Sequence, residues 1–214
     1  VVFLDEIDAL QDQSLVSVLR QLRAGYTNRP EHFPASLALI GLRDVRDYKV
    51  KSGGLDRLAS PSPFNIAVRS ITLRNFSAEE VTTLLRQHSA ETGQPFTTDA
   101  IDRIFYLSQG QPWLVSSLAK VCVEELVEDW TQTITVANVN TAKEILIQRR
   151  QTHLDSLTDK LPQPRVRQII EPMLAGQTLD DIPNDDIDYA LDLGLIRQAT
   201  NGGVEIANPI YREI

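Results

Sequence analysis

The sequence begins with Val1-Val-Phe-Leu-Asp-Glu-Ile-Asp8, in which four apolar residues lead directly into two carboxylates. A short run of β-branched and aromatic residues predicts a strand that is buried on both faces of a parallel sheet. Ligands of open α/β sheets bind beyond the carboxyl ends of the strands, where Asp5 and Glu6 would lie. A strand followed by a solvated acidic turn would give the same pattern.

The residues that follow this stretch predict a βαβ unit. Apolar residues recur at helical spacing over 12–24, and Gly25 is expected to end that helix. Ser36–Leu42 reads as a second buried strand, which makes the first part of the chain α/β. Residues 43–64 are polar and rich in Gly and Pro, which predicts a long loop. Ile71–Leu73 is predicted to be a short third strand.

Helical signals replace the strand signals after this point. A capping box at Ser77-Ala-Glu-Glu80 starts the first of four predicted helices with short connections, which is the pattern of a small bundle. They run from Ser77 to Gly93, from Thr97 or Thr98 to Gly110, from Pro112 to about Asp129 and from Ala137 to Arg150.

The last 60-odd residues predict two helices followed by a hairpin. The helices are expected at Pro164–Ala175 and Asn184–Leu193, and the strands at Leu195–Thr200 and Val204–Ala207. The turn Asn201-Gly-Gly203 between the strands is a strong hairpin signal. Two helices followed by a hairpin is the order of elements in a winged-helix domain, which is a variant of the helix-turn-helix.

The first stretch resembles the Walker B motif of P-loop ATPases of the AAA+ class. The resemblance implies that Asp5 holds Mg²⁺, usually through water, and that Glu6 is the catalytic base that activates the attacking water. It also implies that the strand ending before Arg43 carries sensor 1 at that residue, since Arg suits bidentate contact with phosphate. Arg46 is a weaker alternative for this role, and Arg43 could instead be a surface residue paired with Asp44 or Asp47.

Two further motifs extend the resemblance to the signal-transducing STAND branch of these ATPases. Gly110-Gln-Pro112 looks like the Gly-x-Pro motif of STAND lids, whose Pro packs near the adenine, although a helix–turn–helix with Trp113 in the core would look alike. Leu42–Tyr48 and Asn208–Glu213 are similar to segments of bacterial AAA-like proteins. The resemblance covers the whole chain.

The expected fold class is the α/β remnant of a P-loop NTPase core, followed by an all-α lid bundle and a winged-helix domain, mostly α overall. The expected domains are 1–75, 76–150 and 151–214. No Gly-x-x-x-x-Gly-Lys-Ser/Thr motif occurs in the 214 residues, so the P-loop would belong upstream of Val1. ATP and Mg²⁺ are therefore expected cofactors of a longer protein, whereas this chain alone is expected to be inactive. Its first 75 residues should be the least stable part, because the central strand of the sheet would be missing.

Composition and charge limit the classes of partner that the protein is expected to bind. The formal net charge is −8, which disfavours nucleic acid and anionic membranes. The sequence contains no run of apolar residues long enough to span a membrane, and a cytoplasmic protein is predicted. Three scattered His residues offer no metal-binding spacing, and the single Cys122 is expected to be a buried hydrophobe. A protein partner or self-association remains possible.

Two rival functions follow from the C-terminal part of the sequence. A winged helix could serve a DNA-binding regulator, but the presumed recognition helix Asn184–Leu193 carries four Asp and no Lys or Arg. Alternatively, the lid and winged helix could form a protein-interaction module that ignores nucleotide. The leading hypothesis is a nucleotide-dependent conformational switch of the AAA-like or STAND type.

Overall fold

The computed structural model describes residues 1–10, 12–42, 69–149, 152–179, 182–200 and 202–214. Contacts divide the chain into two compact units, Val1–Thr72 and Leu73–Ile214. The predicted loop over 43–64, together with Arg43 and Arg46 at its start, lies outside the described residues.

The first unit contains the predicted βαβ arrangement. Strand β1 (Val2–Leu4) and strand β2 (Leu37–Leu39) are connected through helix α1 (Asp12–Ala24). The strands pair in parallel, with Val2 opposite Leu37 and Leu4 opposite Leu39. A parallel pair needs such a crossover connection, so the sequence order strand, helix, strand leads directly to this topology.

A small apolar cluster holds the first unit together. Leu15 and Leu19 of α1 are buried at 2% and 0% exposure and pack with Ile7, which follows the acidic turn. The α-helix ends at Ala24 as predicted, and the chain continues as a 3₁₀ turn that starts at Gly25. A Cβ at Gly25 would lie 2.2 Å from the ring of Phe33, so a larger residue here would have to displace that ring.

Two predictions for the strands are wrong. The first strand is not buried on both faces, since Val2 is 37% and Phe3 is 67% exposed. Among the described residues the sheet has only two strands, whereas the strands of a typical parallel sheet are covered on both faces. The predicted strand Ile71–Leu73 has no regular structure, and Leu73 is 92% exposed. No described strand pairs with it, and a strand is stable only with a hydrogen-bonded neighbour.

The second unit begins with the four predicted helices, for which we keep the predicted name, the lid, as a label. They are α2 (Ala78–Thr92), α3 (Thr98–Ser108), α4 (Pro112–Val121) and α5 (Val136–Arg149). Their apolar faces form one core, here named the lid core, whose fully buried side chains include Val81, Ile104, Leu114, Leu118 and Leu146. Cys122 is part of this core, which confirms its prediction as a buried hydrophobe.

Local signals at the helix ends account for most of these boundaries. The Ser77 side chain accepts a hydrogen bond from Glu80 N, and Glu80 accepts one from Ser77 N, so the predicted capping box is confirmed. Gly93 ends α2 in the left-handed conformation. The third helix is shorter than predicted, because after Val121 the backbone changes to a π-helical turn, Cys122–Leu126.

The rest of the second unit, as far as the structure describes it, contains the two predicted helices, the predicted hairpin, and two short helices for which no bounds were predicted. In order, the elements are α6 (Thr152–Thr158), α7 (Pro164–Leu174), α8 (Asn184–Asp192), β3 (Ile196–Gln198), β4 (Val204–Ile206) and α9 (Pro209–Glu213). Strands β3 and β4 pair antiparallel, which confirms the hairpin. The side chains of α7, α8 and the hairpin form a second core, here named the hairpin core, around Val166, Ile169, Ala190, Leu195 and Ile196.

Candidate functional site

The acidic turn directly follows β1. Asp5 Oδ1 accepts a hydrogen bond from Glu6 N at 2.9 Å, and Glu6 has φ 51°, a left-handed backbone that is uncommon for a residue other than Gly. Both side chains are exposed. The turn thus presents two carboxylates to solvent at the end of a strand, and the unusual backbone of Glu6 is the kind of strain that clusters at functional sites.

Backbone hydrogen bonds fix this turn beside the end of β2. Ile40 N donates to Leu4 O at 2.9 Å, and Ile7 N donates to Ile40 O at 3.0 Å. The residues on either side of Asp5 and Glu6 are therefore both hydrogen-bonded to Ile40. The carboxylates and the exit of β2 share one edge of the sheet, as expected for parallel strands. Arg43, the sensor 1 candidate, follows three residues after Ile40 but is not among the described residues.

A second group of candidates lies in the turn between α3 and α4. Gln109 and Gly110 have φ 49° and φ 73°, so two successive residues adopt left-handed conformations. Phe76 N donates to Gly110 O at 2.8 Å, and Gly110 N donates to Ser108 Oγ at 3.1 Å. A Cβ at residue 110 would lie only 1.9 Å from Phe76 O. Glycine is required here both by the backbone conformation and by the approach of Phe76.

Pro112 occupies the first turn of α4, as its sequence position predicts. Gln111 caps the helix, because its Oε1 accepts a hydrogen bond from Leu114 N at 2.6 Å. Trp113 is partly buried against the lid core. The turn and the helix start therefore explain the positions of Gly110 and Pro112 without any ligand. A role in ligand binding would be an additional function of these residues.

The structure adds neighbours that the sequence did not single out. Asn75 Nδ2 donates to Gln109 O at 3.3 Å, and Phe76 makes the backbone bond to Gly110, so the segment before α2 lies against the α3–α4 turn. The only sequence signal near them is the capping box at Ser77, which marks where that segment must turn into a helix. Nothing local in the sequence indicates contact with a residue more than 30 positions away.

The predicted site residues thus fall into two groups. Asp5 and Glu6 belong to the first unit, whereas Gly110 and Pro112 belong to the second. Within the part of the chain that the structure describes, no group of three or more His, Cys, Asp or Glu side chains could hold a metal ion. Over the same residues, no helix is long and apolar enough to cross a membrane.

Comparison with known proteins shows a likeness of fold. The chain is similar to a solved structure of the RuvB Holliday junction branch migration motor of Thermotoga maritima, with a TM-score of 0.53 and 16% sequence identity. The match covers 99% of this chain and 68% of the RuvB chain. Structures of two variants of the same motor match with a TM-score of 0.53 and 15% identity. No protein-family model and no curated protein matches the sequence.

RuvB is an AAA+ P-loop ATPase, so the chain shares its fold with a protein of the predicted class. At this sequence identity the likeness concerns the fold alone. The STAND assignment and the roles of Asp5, Glu6, Arg43, Gly110 and Pro112 stay predictions.

Proposed function

We propose that this chain is the part of an AAA-like, STAND-type ATPase that contains Walker B, sensor 1, the lid and a winged helix. Its role is that of a nucleotide-dependent conformational switch. The observation that carries the proposal is the acidic turn of Asp5 and Glu6 held beside the exit of β2 by the two backbone bonds of Ile40. The AAA+ fold of the structural neighbours supports it.

In this function, Asp5 would hold Mg²⁺ and Glu6 would activate the water that attacks the terminal phosphate. The carboxylate of Asp5 would be enough to hold the ion on the protein side. Mg²⁺ at such sites keeps several waters and takes its other ligands from the phosphates. Arg43 would contact the terminal phosphate, and Gly110 and Pro112 would lie near the adenine.

The sequence contains no P-loop, and the backbone N–H groups and Lys of that loop supply most of the phosphate binding. The 214-residue chain is therefore proposed to bind Mg·ATP weakly and to hydrolyse none. Isothermal titration calorimetry with Mg·ATP tests this directly. We expect no binding in the micromolar range, and a micromolar dissociation constant would refute this part of the proposal.

The genomic sequence upstream of Val1 provides a second test. A Gly-rich segment that ends in Gly-Lys-Ser/Thr, about half a domain upstream, is expected. Its absence would leave Asp5 and Glu6 without the partner that their proposed chemistry requires, and it would favour the nucleotide-independent interaction module.

DNA binding through α8 is not proposed. Between Pro162 and Ile214 the chain has four Arg against nine Asp or Glu. Arg165 lies 3.0 Å from Asp186 and 3.5 Å from Asp185, and its guanidinium stacks on Tyr189 at 3.9 Å. This Arg is thus engaged within the fold, while Asp188 on α8 is exposed. Fluorescence anisotropy with duplex DNA at low salt is expected to show no binding, and salt-dependent binding would support the regulator hypothesis instead.

A further inference from the structure

The short helix α9 connects the lid core with the hairpin core. Ile210 is completely buried among the lid side chains, although it lies more than 60 residues after the end of α5. The next residue, Tyr211, packs against both cores. Burial raises the pKa of Tyr211 to about 12, which agrees with a ring enclosed between two apolar surfaces. Two adjacent side chains thus bridge the two parts of the second unit.

Charged groups hold the same helix in place. Lys143 on α5 contacts Glu213 at 2.6 Å and Glu144 at 2.9 Å, and its side chain is only 12% exposed. The hydrogen bond to Glu213 is the main reason why the pKa of Lys143 is raised. Asn208 caps α9 by accepting a hydrogen bond from Tyr211 N at 2.9 Å. The helix is therefore fixed at its start by a cap and at its end by an ion pair to the lid.

A second connection joins the hairpin to the α3–α4 turn. Arg197 on β3 donates from Nη1 to Gln109 Oε1 at 2.7 Å, and its Nη2 lies 2.8 Å from Glu205 on β4. Gln109 immediately precedes Gly110. The hairpin therefore contacts the turn that carries the second group of site candidates.

We propose that α9 locks the lid and the hairpin core into one cooperative unit, so that the two cores unfold together. Interfaces between domains that move independently are usually small and polar. Here a fully buried Ile and a shared Tyr cross the boundary instead.

Native-state hydrogen exchange on the full chain tests the lock without any nucleotide, so its outcome is independent of the proposed function. The perturbation is Leu85→Ala in α2, a buried lid position on a helix that is not among the main neighbours of α9, which are α3, α5 and β4. Exchange is followed at increasing urea concentrations below the unfolding transition, because urea favours openings that expose much surface over local fluctuations. If the unit is locked, the amides of β3 and β4 should lose as much protection as the lid amides, about 30-fold or more.

Two further variants identify α9 as the element responsible. In an Ile210→Ala background, Leu85→Ala should no longer affect the β3 and β4 amides. Arg212→Ala, an exposed position on the same helix, should leave the coupling intact. If Leu85→Ala prevents folding, the smaller change Val81→Ala replaces it. Loss of protection in the lid alone, with unchanged β3 and β4 amides, would overturn the proposal. So would coupling that survives Ile210→Ala.

Discussion

Gly110→Ala tests whether the α3–α4 turn is as constrained as its geometry indicates. An Ala at φ 73° costs about 1–2 kcal/mol in the left-handed region. Its Cβ would lie 1.9 Å from Phe76 O, so the segment before α2 must move. Loss of the hydrogen bond from Phe76 N to Gly110 O then costs roughly another 1–3 kcal/mol. Because Ala also reduces the conformational entropy of the unfolded chain, it offsets about 0.4–1 kcal/mol of this loss of stability. We expect a net loss of about 1–4.5 kcal/mol.

Gly93→Ala is the matched control. Gly93 has φ 81°, but an added Cβ would meet nothing within 4 Å, so only the backbone penalty applies and about 1 kcal/mol is expected. Urea unfolding followed by tryptophan fluorescence suits the comparison, because both Trp residues of the chain lie in the second unit. Equal losses for the two variants would refute the argument that contact with Phe76 is what excludes a side chain at residue 110.

Three further predictions follow from individual contacts. Arg74 and the backbone N of Ser77 hold the pKa of Glu80 at about 2, below its ordinary value of 4.5. The stability that Glu80 contributes is therefore complete above pH 4.5 and is lost as the pH falls towards 2, so Glu80→Gln should reduce the difference in urea midpoint between pH 6 and pH 3. An equal difference in wild type and variant would contradict this. Burial raises the pKa of the Cys122 thiol to about 12, so iodoacetamide at pH 8 should label the protein only in denaturant, and rapid labelling of the native chain would show the burial to be wrong. Brief proteolysis should cut within 1–72 first and leave 73–214, because the first unit has the smaller core. Mass spectrometry of the fragments checks this, and initial cleavage inside the lid would contradict it.

Local signals in the sequence predicted the helices well. The capping box at Ser77, the left-handed Gly93 and Pro112 at the start of α4 are decided by neighbours within four residues, so they can be recognised in the sequence. The Asn-Gly hairpin belongs to the same class, and β3 and β4 pair as expected. The parallel pairing of β1 and β2 was also predictable, because an intervening helix leaves few other topologies.

Features that depend on distant residues were missed. The exposure of Phe3 is decided by which layers cover the sheet, and the apolar run in the sequence only indicates that such layers are needed. The docking of Ile210 into the lid core and the contact of Phe76 with Gly110 join segments far apart in the chain. Of the candidate site, sequence reasoning predicted the shared sheet edge at Asp5 and Glu6. It could not predict the surroundings of Gly110, because these come from the segment before α2.

ATP turnover by a Glu6→Gln variant tests the central claim most directly. The measurement uses a protein in which the proposed P-loop segment precedes this chain, with Glu31→Gln as the control, since Glu31 is another exposed carboxylate of the first unit. If Glu6 is the catalytic base, Glu6→Gln should lower turnover by about 100-fold or more while ATP binding persists, and Glu31→Gln should leave turnover unchanged. Turnover of Glu6→Gln at the wild-type rate would contradict the assignment of this turn as Walker B.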